Sequence, residues 1–162
     1  MRPRYGAIRY GSAGADRGAR VGQWTYSTVV AGPRDAVYEL FADRENYGKL
    51  APITARLERP GRDARQGVGA VHKLGVGPLG IREEITELDD GRTLGYRAVS
   101  RLPVRHYLGH VAFADDPGGT RVDYTLDVDS ALPLPGPLMR ALVRGLATGL
   151  CRGAGRELNK RG

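Results

Sequence analysis

The chain has 162 residues, 41% of them hydrophobic, and a formal net charge of +7. This length fits one domain with one core, and no apolar run approaches the about 20 residues that a membrane-spanning helix needs. The single cysteine, Cys151, excludes an internal disulfide. Because no secretory h-region follows the N-terminus, we expect a cytoplasmic protein.

Residues 1–20 combine arginines and glycines without any apolar period. Such a composition predicts a disordered basic tail, which leaves residues 21–162 as the folded domain. The tail holds five arginines and one aspartate and so carries much of the positive charge. We therefore interpret the charge as solvated and expect no nucleic-acid partner.

The elements that follow are predicted in chain order. A β-rich run at 22–31 predicts a first strand, and 32–43 predicts a helix with Pro33 in its first turn. A short irregular or helical piece ends at Pro52. Turn signals then separate six strand-like runs, at 53–59, 68–76, 79–88, 92–100, 104–114 and 120–130. A long helix is predicted from about Pro137 to Lys160.

Strict alternation of apolar and polar residues between 122 and 128 indicates a sheet with one covered and one wet face. Strands grouped between helices favour an α+β fold with an antiparallel meander. No internal repeat and no second domain are evident in the sequence.

Several blocks resemble a known family. They are VVAGPRDAVYELFADRENYGKLAP, GVGAVHKL, IREEITELDDGRTLGYR, LPVRHYLGHVAF and GGTRVDYTL. Over residues 21–160 the chain is similar to the polyketide cyclase/dehydrase-like branch of the START/Bet v 1 (SRPBCC) superfamily. The resemblance implies a helix-grip fold, in which a curved seven-stranded antiparallel sheet surrounds a long C-terminal helix, with two short helices after strand one.

The resemblance also implies a ligand cavity between the sheet and the C-terminal helix. Members of the superfamily bind lipids, sterols, polyketides, hormones or quinones, and only some catalyse reactions. Relatives often place a tryptophan near the segment YGKLAP, where this chain has Gly48 and Leu50. We therefore expect the mouth of the pocket to differ in this chain.

The predicted C-terminal helix carries three glycines four residues apart, Gly145, Gly149 and Gly153. At about 100° per residue they lie within or beside the face that holds Leu138, Leu142, Leu146 and Leu150. Cys151 is predicted on the opposite, polar side. The glycines either let the helix approach a strand closely or leave volume for a ligand. Pairing of helices in a membrane is disfavoured by the arginines on the same segment.

Strand phase predicts which polar side chains point inward. Counting back by twos from Val111 places Tyr107 and Arg105 inside, and Glu83 shares the phase of its isoleucine neighbours. In a catalytic interpretation, Arg105 binds a carboxylate, ketone or enolate oxygen, and Glu83 or His72 is a base. Tyr107, Tyr96 or Tyr124 is then the acid. In the structural alternative, Arg105 and Glu83 neutralise each other as a buried pair.

Other inward positions are predicted to contact a ligand, because small-ligand sites combine an apolar wall with few polar groups. They are His72, Tyr96, Phe113, Tyr124, Leu142, Leu146 and Gly149. No cysteine cluster or H-E-x-x-H motif accompanies the histidines, so we expect no metal. No complete dinucleotide motif is present, and we expect no cofactor.

The resulting prediction is a domain that binds a small, largely hydrophobic ligand such as a polyketide or lipid. One alternative is a polyketide cyclase or dehydrase that uses general acid/base catalysis, and whether the chain is an enzyme stays open. A second alternative is quinone or lipid handling at a membrane surface, which would add membrane contact. The sequence leaves both monomer and homodimer possible.

Overall fold

The computed structural model describes residues 21–76, 79–100, 104–130 and 135–162. The predicted basic tail, residues 1–20, lies outside these ranges. The strands are β1 (Val21–Val30), β2 (Thr54–Arg59), β3 (Val71–Val76), β4 (Leu79–Asp89), β5 (Thr93–Ala98), β6 (Val104–Asp116) and β7 (Gly119–Ser130). The helices are α1 (Arg34–Ala42), a 3₁₀ turn (Arg44–Asn46), α2 (Tyr47–Leu50) and α3 (Gly136–Asn159).

The strands form one antiparallel sheet in the order β1-β7-β6-β5-β4-β3-β2. β1 and β2 follow each other in the chain but lie at opposite edges, and α1, the 3₁₀ turn and α2 connect them. The sheet curves around α3, which confirms the predicted α+β helix-grip architecture. Among the described helices, none combines the length and the hydropathy that crossing a bilayer requires.

The core lies between the concave face of the sheet and the helices. α1 begins after Pro33, and Asp35 lies in its first turn, where a carboxylate favours the helix dipole. Its buried face includes Val37 and Phe41, and the ring of Phe41 packs edge to face on Phe113 at 5.4 Å between centroids. This packing fixes the end of α1 against β6, so the residues that follow α1 enter the concavity.

The buried face of α3 differs from the face predicted from its leucines. Leu138 and Leu142 are 48% and 58% exposed, and Cys151, predicted on the polar side, is buried. The prediction is therefore wrong at these three positions, whereas Leu150 and Gly153 are buried as predicted. Among the described residues, the buried side chains of α3 are Val143, Ala147, Leu150, Cys151 and Ala154.

The three glycines of α3 have different surroundings. A Cβ atom at Gly153 would lie 2.0 Å from the carbonyl oxygen of Leu50 in α2, so the helix backbones meet in direct contact there. A Cβ at Gly149 would reach only Ala51, at 3.9 Å, and one at Gly145 would meet nothing within 4 Å. Close packing thus explains Gly153, whereas Gly145 lies on the exposed face of α3.

This difference predicts opposite effects of the same substitution. Gly153→Ala should lower the free energy of unfolding by about 1–3 kcal/mol or more, because the methyl group would collide with backbone atoms that cannot move aside. Gly145→Ala should raise it by up to about 1 kcal/mol, since alanine favours a helix and meets open space. Urea unfolding measures both, and equal effects would contradict the close contact between α2 and α3.

Candidate functional site

A buried ion pair joins the 3₁₀ turn to the sheet. The Nη2 atom of Arg44 donates a hydrogen bond to Oε2 of Glu83, and the two residues are 1% and 2% exposed. Asp43 starts the turn by accepting a hydrogen bond from the backbone N–H of Glu45 at 3.1 Å. The strand phase of β4 turns Glu83 inward, so both charges meet inside the concavity.

Aromatic rings cover the guanidinium group of Arg44. Its Cζ atom lies 4.9 Å from the ring centre of Tyr47 and 4.3 Å from that of Tyr96, distances at which a cation is attracted to the ring face. The ring of Tyr96 lies across Gly109 on the neighbouring strand, where a Cβ would come within 1.9 Å of its Cζ. The glycine therefore creates the space that holds this ring beside Arg44.

Burial alone would lower the pKa of Arg44, but the Glu83 carboxylate and the surrounding phenols outweigh it and raise the pKa. Burial raises the pKa of Tyr47 to about 12. Burial, followed by the carboxylate of Glu83, raises the pKa of Tyr107 well above the ordinary value of a phenol. At neutral pH these hydroxyl groups are uncharged hydrogen-bond donors beside a neutralised ion pair.

Tyr124 joins this cluster through a hydrogen bond to Tyr96. The hydroxyl groups of Tyr96 and Tyr124 share a hydrogen bond of 2.5 Å, and burial raises the pKa of both. Their side chains come from β5 and β7, on either side of β6. The cluster therefore holds several strands in a fixed arrangement around Arg44.

His72 lies beside this cluster, because it pairs with Glu83 across β3 and β4. Its Nε2 atom is 2.6 Å from Oε1 of Gln66, and the Gln66 amide nitrogen donates to Glu45 at 2.9 Å. The amide oxygen thus faces the ring, so Nε2 carries the proton and donates. Burial, followed by the charge of Arg44, lowers the pKa of His72 to about 4, and the ring is neutral at pH 7.

A cavity of about 150 Å³ lies next to the ion pair. Its polar end is formed by Arg44, Glu83 and tyrosine hydroxyl groups, and its other walls are mainly aliphatic. The lining residues are Arg44, Tyr47, Ile53, Leu74, Gly75, Ile81, Glu83, Tyr107, Tyr124 and Leu146. The arrangement can enclose a small apolar body and present hydrogen-bond donors to one end of it.

A larger depression of about 470 Å³ lies on the surface, beside Pro33 and the β6–β7 turn. Its main charged groups already pair, since Arg34 Nη1 donates to Asp115 Oδ2 at 2.9 Å. It is open to solvent, and Nε of Arg34, a buried atom without a hydrogen-bond partner among the described residues, belongs to a guanidinium that already pairs with Asp115. The cavity beside the buried ion pair is therefore the better candidate site.

Four of the residues proposed from the sequence line the enclosed cavity, and the others are distributed around it. The four are Glu83, Tyr107, Tyr124 and Leu146. His72, Tyr96 and Phe113 are buried nearby but do not line it, and Gly149 is half-buried outside it. Leu142 faces solvent. The side chain of Arg105 lies outside the described part of the structure, so its role stays a prediction.

Arg44 and Tyr47, the cation of the pair and the tyrosine whose ring packs on it, were not among the residues proposed from the sequence. The structural alternative paired Glu83 with Arg105, and in the structure Glu83 pairs with Arg44. The spacing held a signal for this, because Val37, Phe41 and Arg44 follow helical intervals of four and three. Continuing the face of α1 by one turn would have placed Arg44 inside.

The described residues contain no group of three or more His, Cys, Asp or Glu side chains that could hold a metal ion. The family model described as "Polyketide cyclase / dehydrase and lipid transport" matches residues 22–161. The chain belongs to this family. Comparison with curated proteins gives no match.

Solved structures share the fold of this family member. Ara h 8.0201 superposes with a TM-score of 0.68 at 14% identity, covering 86% of this chain and 99% of its own. A START superfamily protein from Mycobacterium smegmatis gives 0.68 at 16%, covering 90% and 100%. The protein MLL2253 from Mesorhizobium loti gives 0.65 at 10%, covering 86% and 98%. At these identities the likeness shows the fold alone.

The buried neutral histidine predicts a loss of stability in acid. The pKa of His72 is about 4 in the folded protein against 6.5 for an ordinary histidine, so the unfolded chain takes up the proton first as the pH falls. Stability should therefore be lost between about pH 6.5 and 4, and His72 should contribute roughly 2 kcal/mol to the difference between pH 7 and pH 5.

Urea unfolding of the wild type and of His72→Gln at the two pH values measures this contribution. The variant should lose less stability than the wild type on acidification, even if it is less stable at pH 7. The same decrease in both proteins would show that the folded protein protonates His72 as readily as the unfolded chain does.

Proposed function

We propose that this protein binds a small, largely apolar molecule in the cavity between the sheet and α3. The observation that carries the proposal is the cavity of about 150 Å³, whose mainly aliphatic walls adjoin the buried ion pair of Arg44 and Glu83. Ligand sites in proteins combine an apolar lining with a few placed polar groups in this way. The family description, which includes lipid transport, is consistent with such binding.

The size of the cavity limits what it can hold. A dry protein cavity of about 150 Å³ accepts a molecule such as benzene, so the present cavity of about 150 Å³ suits a single ring. A long poly-β-ketone chain would need more room.

Catalysis as a cyclase or dehydrase is the second candidate, favoured by Tyr107 and Glu83 on the cavity wall. An effective general acid has a pKa near the working pH. The pKa of Tyr107 is instead raised well above 10 by burial and by Glu83, and Glu83 is already paired with Arg44. These groups are poorly suited to transfer a proton, which supports binding over catalysis.

A substitution in the wall tests the proposal. Leu146→Trp should fill the cavity and weaken binding of toluene or cyclohexanone at least tenfold, because Leu146 lines it from α3. Leu142→Trp is the matched control, since it lies one turn earlier on the same helix and is 58% exposed. Amide chemical-shift titration measures both affinities, and circular dichroism verifies folding.

The control variant should bind both probes as the wild type does. The proposal fails if neither probe binds the wild type. It also fails if the folded Leu146→Trp variant binds both probes with unchanged affinity, which would place binding elsewhere.

A further inference from the structure

The polar end of the cavity holds hydrogen-bond donors that have no acceptor among the described residues. Nη2 of Arg44 donates to Glu83, but Nε and Nη1 of the same guanidinium are buried without a partner there. The hydroxyl group of Tyr47 is buried and unpaired in the same way. Arg44 and Tyr47 both line the cavity. Since buried donors in proteins are nearly always satisfied, these groups call for an acceptor that the described residues do not supply.

The donors are held in place before any ligand enters. The rings of Tyr47 and Tyr96 lie at the guanidinium of Arg44, and Glu83 holds one of its nitrogens. Little side-chain freedom remains to be lost on binding, which favours affinity. The remaining N–H groups lie in the plane of the guanidinium, so an acceptor must approach along that plane.

The charge balance around the ion pair favours a neutral acceptor over an anionic one. The cation of Arg44 is compensated by Glu83 within direct hydrogen-bond distance. The neighbouring His72 is neutral because its pKa is lowered to about 4, and burial keeps the hydroxyl group of Tyr47 protonated with a pKa of about 12. An anionic ligand would therefore bring an uncompensated charge into a buried site, which is unfavourable.

We propose that Arg44 and Tyr47 recognise the carbonyl oxygen of a neutral, single-ring carbonyl compound, such as a cyclic ketone. A carbonyl oxygen offers two lone pairs, which matches the unpaired N–H groups of Arg44 and the hydroxyl donor of Tyr47. The aliphatic side chains of Ile53, Leu74, Ile81 and Leu146 then enclose the ring. This inference rests on the proposed function, because it names the class of molecule that the same cavity binds.

Three probes of similar ring size test the inference by titration of the full chain. They are cyclohexanone, methylenecyclohexane, in which CH₂ replaces the oxygen, and cyclohexanecarboxylate. The wild type should bind the ketone more tightly than the carboxylate. In the double variant Arg44→Met/Glu83→Gln, which removes both charges together, the ratio of ketone affinity to alkene affinity should fall at least tenfold, because hydrogen bonds from charged donors are strong.

Tyr47→Phe removes one donor without disturbing the ion pair and should lower the same ratio several-fold. A further measurement uses the wild type alone. The carbonyl ¹³C resonance of bound, labelled cyclohexanone should lie downfield of its position in cyclohexane, as hydrogen bonding to the oxygen requires. This measurement decides the question even if the double variant does not fold.

The outcomes separate this inference from the proposed function. If the ketone and the alkene bind but their affinity ratio is unchanged in the variants, or the bound carbonyl resonance stays at its position in cyclohexane, the inference is wrong and the binding cavity stands. Tighter binding of the carboxylate would show that the site selects an anion and would also overturn the inference. If neither neutral probe binds the wild type, the proposed function fails and this inference fails with it.

Discussion

The ion pair between Arg44 and Glu83 is the interaction on which the arrangement of this protein's interior depends. Burying two charges in a core costs free energy of desolvation, and burying either one alone would cost far more. Glu83 is held by the phase of β4, and Arg44 by the turn that Asp43 starts after α1. The pair therefore fixes where the helical connection between β1 and β2 enters the concavity of the sheet.

The mixed polar and apolar lining of the cavity follows from the burial of this ion pair. The charges need surroundings that tolerate them, and tyrosines provide rings against the guanidinium and hydroxyl groups near the carboxylate. These bulky, partly polar side chains fill one end of the space between the concave face of the sheet and α3. Aliphatic residues, among them Leu146 of α3, line the rest, and the result is a cavity with a mainly apolar wall beside a buried ion pair.

Much of the fold could be predicted from the sequence because it rests on local patterns. Alternation in β7 and the apolar spacing of α1 identify elements whose observed bounds lie within a few residues of the predicted ones. The face of α3 was predictable only in part, because helical spacing places Leu150 and Gly153 on the buried side, whereas Leu138 and Leu142 are exposed and Cys151 is buried. Which residues are buried depends on contacts of α3 with distant parts of the chain, and the spacing of leucines along the helix carries no record of them.

The site was predictable only in part, for a related reason. Strand phase places Glu83 inside and indicates that it needs a cation, but many arginines are available in the sequence. The choice of Arg44 depends on how α1 docks on the sheet, through Phe41 and Phe113. The tyrosines were identified as inward residues from β-strand alternation, whereas Tyr47 lies in α2, after the 3₁₀ turn, where no strand phase applies.

A double-mutant cycle on Arg44 and Glu83, measured by urea unfolding, tests the central role of the ion pair most directly. Arg44→Met and Glu83→Gln should each cost about 3–5 kcal/mol, because each leaves its partner buried and uncompensated. The double variant should cost much less than the sum of the two. Costs that add to within about 0.5 kcal/mol would show that the residues act independently and would contradict a central role for the ion pair.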